Sequence, residues 1–374
     1  MKTRVAIIFG GRSCEHEVSL QSARNIYEAL DKTKYEVVLL GIDKRGRWHL
    51  GHDASLILNA TDPKLIALNA AAPAVTPAED PAGESLVLRD LETGLVRARV
   101  DVFFPIVHGT YGEDGSLQGL LRLLDAPFVG ASVQGSAVGM DKDVMKRLLR
   151  DANLPTARFQ TTRSAEVEVD AVVRDLGLPL FVKPANLGSS VGITKVRRPA
   201  DLEPALAYAL RFDRKALIEE AVPGREIEVA VLGNEHPEAS VCGEIVPQHE
   251  FYSYDAKYID EHGAQLSIPA PLDRRTSDRI RAMAVQAYTA LECEGMARVD
   301  FFLRPDGETI LVNEINTLPG FTRISMYPKL WEATGLECPR LLDRLIELAL
   351  ERHRAERALV RAPGDLGARS LRRG

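Results

Sequence analysis

Three short stretches combine residue types able to handle phosphate and carboxylate groups. KPANLGSSVG (Lys183–Gly192) places two glycines and two serines just after a lysine. The backbone N–H groups of such a loop can approach phosphate oxygens while the lysine supplies charge. Gly-Lys-Ser/Thr is absent, so this is not the strand-to-helix phosphate loop, and taken alone such a segment is most often a turn. The second stretch is ARVDFFL followed by ETILVNEINTLPG. With a two-residue period, Arg298, Asp300 and Phe302 share one strand face, and Glu314 and Asn316 share one face of the next. Pro305-Asp306-Gly307 suits a three-residue hairpin loop with Gly307 left-handed. Pairing Arg304 with Glu308 then sets even-numbered residues opposite even-numbered ones. One arginine, two carboxylates and an amide converge. A solvated sheet face laced with salt bridges is the plain alternative, but Phe301, Phe302, Ile310 and Leu311 argue for burial. Oxygen donors without His or Cys suit a hard ion such as Mg²⁺.

The third stretch, GGRSCEHEVS, puts Glu15 and Glu17 at a helix N-terminus, where the dipole favours a carboxylate. Capping is the default explanation for acids there. The glycine pattern differs from Gly-x-Gly-x-x-Gly, which disfavours a nicotinamide-binding domain.

These residues need elements to hold them. Val5–Phe9 reads as a buried strand, a helix runs from near Glu15–Glu17 to about Leu30, and Glu36–Ile42 is a second strand. That βαβ unit implies a parallel sheet. The Ala- and Pro-rich stretch Asn69–Glu84 reads as a surface excursion. Asp101–His108 is a further strand, and Gly115–Ser116 leads into a short helix. A helix carrying Lys142 and Lys146 opens the middle section. Strands Leu180–Pro184 and Val191–Val196, a helix Ala200–Leu210 and a strand Ala216–Glu220 follow. The last section holds strands Glu226–Leu232 and Val241–Val246, an aromatic-charged loop Phe251–His262 and a helix Asp278–Leu291. Two strands, Arg298–Leu303 and Thr309–Asn316, then lead to a closing helix, Cys338–His353. The Arg- and Gly-rich end is expected to be disordered.

The chain has 374 residues, enough for two or three domains at about 150 residues each. Lys+Arg total 47 against 53 Asp+Glu, a net charge of −6 with both signs interspersed, which argues against a dedicated nucleic-acid or anionic-membrane binder. No apolar run is long enough for a signal peptide or a spanning helix. Cys14, Cys242, Cys293 and Cys338 show no Cys-x-x-Cys spacing, which fits free thiols in a reducing cytoplasm.

From about Val5 to Leu350 the chain resembles the D-alanine–D-alanine ligases of the ATP-grasp superfamily. The resemblance is carried by GGRSCEHEVSLQSA, HGTYGEDGSLQGLL, Met140–Lys142, VKPANLGSSVG, YDAKY (Tyr254–Tyr258), ARVDFF and NEINTLPGFTRISMYP, in the family's order. It implies an ATP-grasp fold, α/β and α+β, with an N-terminal parallel-sheet domain. The expected units are 1–125 for the first D-alanine, 126–223 with the phosphate loop, 224–355 with the metal and second-substrate site, and a tail, 356–374. The implied reaction joins two D-alanines through an acyl phosphate, at the expense of ATP, for peptidoglycan precursor synthesis in the cytoplasm.

By the same resemblance, Lys142 and Lys183 contact ATP phosphates under the loop Gly188–Gly192, which includes Ser189, Ser190 and Val191. Glu219 and the backbone near Val222 hold adenine, and Glu226 the ribose. Asp300, Glu314 and Asn316 match ligands for two Mg²⁺ or Mn²⁺ ions, and Arg298 and the Gly320 N–H match oxyanion stabilisers. Glu15 binds the first ammonium, with Ser189 and Tyr258 completing a hydrogen-bonded triad. Ser325, Lys257 and the Met326 backbone clamp the second carboxylate, and His108 lies next to the first substrate. Arg323 departs from the small residue many relatives carry. Relatives are usually homodimers through the N-terminal domain.

Overall fold

The computed structural model describes residues 2–59, 62, 65–80, 86–247 and 264–360. The first apolar run forms β1 (Thr3–Gly10). An unbroken apolar run suits a strand covered on both faces. Ile7 and Phe9 enter one core cluster, and Ala6 and Ile8 another. β1 ends at Gly10, with φ +86°, where a Cβ would stand 2.3 Å from the Ile42 carbonyl oxygen. α1 (His16–Ala29) returns the chain to β2 (Tyr35–Ile42), which pairs parallel with β1, Val5 opposite Val37. β3 (Trp48–Gly51) turns back antiparallel. A small pair, β4 (Ile57–Leu58) and β5 (Ala67–Leu68), sits apart. β6 (Ala74–Glu79), β7 (Leu86–Asp90) and β8 (Val96–Val100) extend the sheet, and β9 (Val102–Pro105) lies parallel to β1.

The seven strands run β8-β7-β6-β3-β2-β1-β9. The expected parallel pairing is present between β1 and β2 and between β1 and β9, and the other strands join antiparallel, so the sheet as a whole is mixed. The expected surface excursion at 69–84 instead supplies β6. Pro77 is tolerated there because β3 pairs only with Ala74 and Val75, leaving an open edge beyond them.

α2 (Ser116–Leu123), α3 (Val133–Met140) and α4 (Lys142–Asp151) follow. β10 (Phe159–Thr162), α5 (Val169–Leu176), β11 (Leu180–Pro184), β12 (Thr194–Val196), α6 (Leu202–Ala209) and β13 (Ala216–Glu220) form an antiparallel sheet, β10-β13-β11-β12. Its own core includes Val172, Leu180, Leu206 and Ile218. β12 starts later than Val191, since Ser190 and Gly192 hold positive φ.

β14 (Arg225–Gly233), β15 (Glu238–Pro247), β16 (Ala264–Ser267), α7 (Arg274–Ala290), β17 (Gly295–Leu303) and β18 (Ile310–Asn316) build the third sheet, ordered β16-β15-β14-β17-β18 and antiparallel. α8 (Met326–Thr334) and α9 (Cys338–Arg357) close the chain. α9 runs to Arg357, four residues past the expected helix end at His353; residues 361–374, like the loop Phe251–His262, lie outside the described residues. One apolar cluster joins Ile7, Phe9 and Leu20 to Phe321, Tyr327 and Leu345, so the N-terminal sheet and the closing helices share a core.

Candidate active site

The β17–β18 hairpin carries the acidic groups, and its register is set by a bulge. Leu303 pairs with Ile310, and Arg304 N–H donates to the Thr309 carbonyl (2.9 Å). Four residues, Pro305 to Glu308, therefore make the turn, not the expected three; Gly307 is left-handed as expected, φ +71°. That loop alone would set odd residues opposite even ones. The register shifts between Asp300 and Phe301, so that Phe301 faces Val312 while Asp300 faces Glu314. Asn313 is the extra residue. Ile310, Val312 and Ile315 thus all enter the core, and Glu314 and Asn316 turn to the other face beside Arg298 and Asp300. The expected convergence holds, through a bulge and not through the loop.

Arg298 spans two carboxylates. Its Nε and Nη2 donate to Asp300 (both 2.7 Å), and Nε lies 3.0 Å from Glu228, the β14 residue directly across from Asp300. Asn316 Oδ1 accepts Leu318 N–H at 3.0 Å. The carboxylates of Asp300 and Glu314 with the Asn316 amide make an all-oxygen donor set that fits Mg²⁺ or Mn²⁺. Among the described residues no three His, Cys, Asp or Glu side chains cluster as metal ligands.

The phosphate-loop end is built from α4, β11 and the 186–192 segment. Lys142 Nζ donates to the Leu187 carbonyl (2.7 Å) and lies 3.6 Å from Glu314. Lys183 and Lys146 grip the two oxygens of buried Glu219 at 2.5 and 2.8 Å. Burial alone would push the Glu219 carboxyl up; the two ammonium groups outweigh it and hold it at about 2. Burial pushes Lys146 down; it is also the largest effect on Lys183, but there the carboxylates of Glu219, Glu314 and Glu226 together outweigh it and raise the ammonium. Lys183 also feels Glu314 and Glu226, which ties this clamp to the acidic face.

Glu15, buried just ahead of α1, accepts a hydrogen bond from Ser189 Oγ, and so the N-terminal sheet meets the glycine-rich loop. Ser189 and Ser190 both hold left-handed φ, +51° and +61°. Ser325 does not cap α8; its hydroxyl accepts Thr322 N–H (2.9 Å), and a Cβ on Gly320 would stand 2.7 Å from it. His108 is buried, with Nδ1 3.1 Å from the Leu318 carbonyl oxygen.

One cavity brings together Glu15, His108, Lys142, Gly188, Ser189, Arg298, Glu314, Asn316, Gly320, Ser325 and Met326. It opens beyond the carboxyl ends of β1 and β9, the usual ligand crevice of a parallel sheet. Lys183, Ser190, Val191, Glu219, Val222, Glu226 and Asp300 stand off its wall, and Arg323 is exposed and also off it. Lys257 and Tyr258 lie outside the described residues. Sequence reading missed Glu228 and Glu113, both buried cavity residues; Glu113 accepts Gly109 N–H at 3.0 Å. The alternation Glu226-x-Glu228 on a strand was the available signal for the first. For Glu113 there was none beyond its place in an acidic turn.

Residues 4–131 match the family model described as the D-ala D-ala ligase N-terminus, and residues 148–347 that of the D-ala D-ala ligase C-terminus. The chain belongs to the D-alanine–D-alanine ligase family. A D-alanine–D-alanine ligase A of Chromobacterium violaceum is 57% identical over 366 residues, covering 96% of this chain and 99% of the relative. The solved D-alanine-D-alanine ligase of Coxiella burnetii superposes with a TM-score of 0.82 at 40% identity, covering 95% of this chain and 97% of that one. The VanG D-Ala:D-Ser ligase of Enterococcus faecalis gives 0.81 at 35%, covering 93% and 100%. Among the described residues no helix is long and apolar enough to cross a membrane.

Proposed function

We propose that this chain joins two D-alanine molecules to D-alanyl-D-alanine, using ATP and releasing ADP and phosphate, as a step in making peptidoglycan precursors in the cytoplasm. The carboxylate of the first D-alanine attacks the terminal phosphorus of ATP, and ADP leaves from an acyl phosphate. The neutral amine of the second then attacks the acyl carbon, and the tetrahedral intermediate expels phosphate. Such chemistry needs positioning and charge neutralisation above all.

The observation that carries this reading is that one cavity is lined by Glu15, Arg298, Gly320, Lys142 and Glu314 together. Glu15, held by Ser189 and joined by Tyr258, binds the first ammonium, with His108 beside it. Lys142 and Lys183 take the phosphates while Gly188, Ser189, Ser190 and Val191 cover them. Glu219 and Val222 receive adenine and Glu226 the ribose; Glu219 also serves as counter-ion to Lys183. Asp300, Glu314 and Asn316 would hold two Mg²⁺ or Mn²⁺ ions, whose charge when bound neutralises the phosphate oxygens. Arg298 and the Gly320 N–H face the developing oxyanion. Ser325, Lys257 and Met326 hold the second carboxylate.

We read 1–125, 126–223 and 224–355 as three working units, paired into a homodimer through the first. Sedimentation should then give twice the 41.1 kDa chain mass. Phosphate release with ATP, Mg²⁺ and D-alanine tests the reaction, with D-serine and D-lactate offered in competition as second substrates. D-alanine-dependent phosphate with dipeptide as the main product is expected. No D-alanine-dependent phosphate, or mainly the mixed products, overturns it.

A further inference from the structure

α1 holds the backbone on both sides of Gly320. Ser22 Oγ accepts Phe321 N–H at 3.2 Å, and Asn25 Nδ2 donates to the Phe321 carbonyl at 2.9 Å. The two side chains are three residues apart and so share one helix face. On the other side of the glycine, His108 Nδ1 reaches the Leu318 carbonyl at 3.1 Å, while its Nε2 lies 3.1 Å from Ser22 Oγ. Ser22 and His108 are buried.

The donors and acceptors of this set can be ordered. A carbonyl only accepts, so the hydrogen on His108 sits at Nδ1. Ser22 accepts from Phe321 N–H and turns its own hydrogen to Nε2. The chain then runs unbroken from Phe321 N–H through the Ser22 hydroxyl and the His108 ring to the Leu318 carbonyl. Leu318 and Phe321 bracket Gly320, so its N–H has little freedom to turn.

We infer that Ser22 and Asn25 are positioning residues for the Gly320 N–H, with His108 as the third hold on the same segment. The helix whose start carries Glu15 thereby also holds the Gly320 segment of the same cavity wall, and one element sets the span between the first ammonium and the oxyanion donor. His108 in this arrangement holds the backbone, with Glu113 Oε1 3.6 Å from the same Nδ1. The inference rests on the ligase reading, in which the Gly320 N–H meets developing negative charge.

Two measurements test it. In steady-state kinetics, Ser22→Ala and Asn25→Ala should each lower kcat about tenfold or more, short of the ~10²–10³-fold typical of losing an oxyanion donor outright. KM for ATP should stay within about twofold, because the lost interaction belongs to the transition state. In ¹⁵N-histidine NMR of the native chain, His108, assigned by the loss of its signal in His108→Gln, should be protonated at Nδ1, and Ser22→Ala should move that resonance. A native Nε2-protonated ring overturns the inference, as does unchanged kcat in both alanine variants or a kcat loss matching the unfolded fraction. The tautomer is read without turnover. A native chain inactive as a ligase but protonated at Nδ1 would therefore place the failure in the ligase reading and not in the network.

Discussion

Asp300 and Glu314 face each other across the β17–β18 ladder, and they do so only because Asn313 is one residue too many for a regular strand. On the loop side of the bulge, Phe301 opposes Val312 and both point into the core. Beyond it, the parity flips, and a carboxylate that would otherwise face Val299 and Phe301 turns toward Arg298 and Lys142. A bulge beside an active site that re-aims one side chain is a recurrent device.

Deleting Asn313 should therefore be far worse than its half-buried polar side chain suggests. A one-residue slip moves Glu314 toward the apolar face or pulls Ile315 out of it. We expect loss of turnover together with a drop in Tm. Glu314→Ala, by contrast, should lower kcat by ~10²-fold or more, the scale of removing a ligand to catalytic charge, while Tm stays near that of the native chain. Thermal unfolding and phosphate release on both variants check this. Equal Tm values in the two would show that the bulge does not set the register.

The contact between Ser189 and Glu15 links the glycine-rich loop to the N-terminal sheet. Ser189→Ala should raise KM for D-alanine about tenfold or more and leave ATP affinity nearly unchanged, since a hydrogen bond to a charged carboxylate contributes about 1.5–3 kcal/mol. Initial rates at varied D-alanine and calorimetric ATP binding separate the two. A change confined to ATP affinity would place Ser189 with the phosphates alone.

Much of the frame was legible in the residues. The apolar run and glycine pair of β1, the helical spacing of α1 and the run in β2 fix a βαβ unit to within two residues at each edge. Less legible was anything set by tertiary pairing. The string ILVNEIN reads as an uninterrupted strand, and nothing local marks Asn313 as extra. Lys146 meets Glu219 across 73 positions, a partnership no local period encodes. β6 hid behind Ala and Pro because its proline sits where β3 has already ended.

Lys215 carries no substrate role here, yet it pins the start of α4. Its ammonium donates to both Asp141 oxygens (2.7 Å each) and to Asp143 (2.9 Å), and its backbone carbonyl accepts Ala185 N–H. Asp141 in turn caps α4 through Asp143 and Val144 N–H, one residue before Lys142. Lys215→Met would leave Asp141 and Asp143 side by side with no shared ammonium, Asp141 keeping only its capping N–H groups and Asp143 only Arg147, 3.2 Å away. We expect a loss of about 1–3 kcal/mol, the penalty for stranded polar groups, partly restored by adding Asp143→Asn. Urea unfolding of the single and double variants measures it, and absence of any rescue would show that the two carboxylates do not share one counter-ion.

Glu219 makes the sharpest prediction about pH. Its carboxyl is held at about 2 in the folded chain against an ordinary value of 4.5, because Lys146 and Lys183 outweigh its burial. A group whose folded value is depressed binds protons more readily when unfolded, so its stabilisation is complete above pH 4.5. It is lost as pH falls from there toward 2, an effect on the order of 3 kcal/mol. Glu219→Gln should abolish that slope. At neutral pH the same variant takes the direct ion-pair partner from Lys146, 1% exposed, and from Lys183, leaving them only the more distant Glu314 and Glu226, for which a cost of about 3–5 kcal/mol is expected. Adding Lys146→Met removes one of the stranded charges and should recover part of the loss. Urea midpoints across pH 2.5–7 for the native chain and both variants decide it. If native and Glu219→Gln proteins lose stability in parallel below pH 4.5, the acid sensitivity lies in other carboxylates, and the two lysines are not what holds Glu219 ionised.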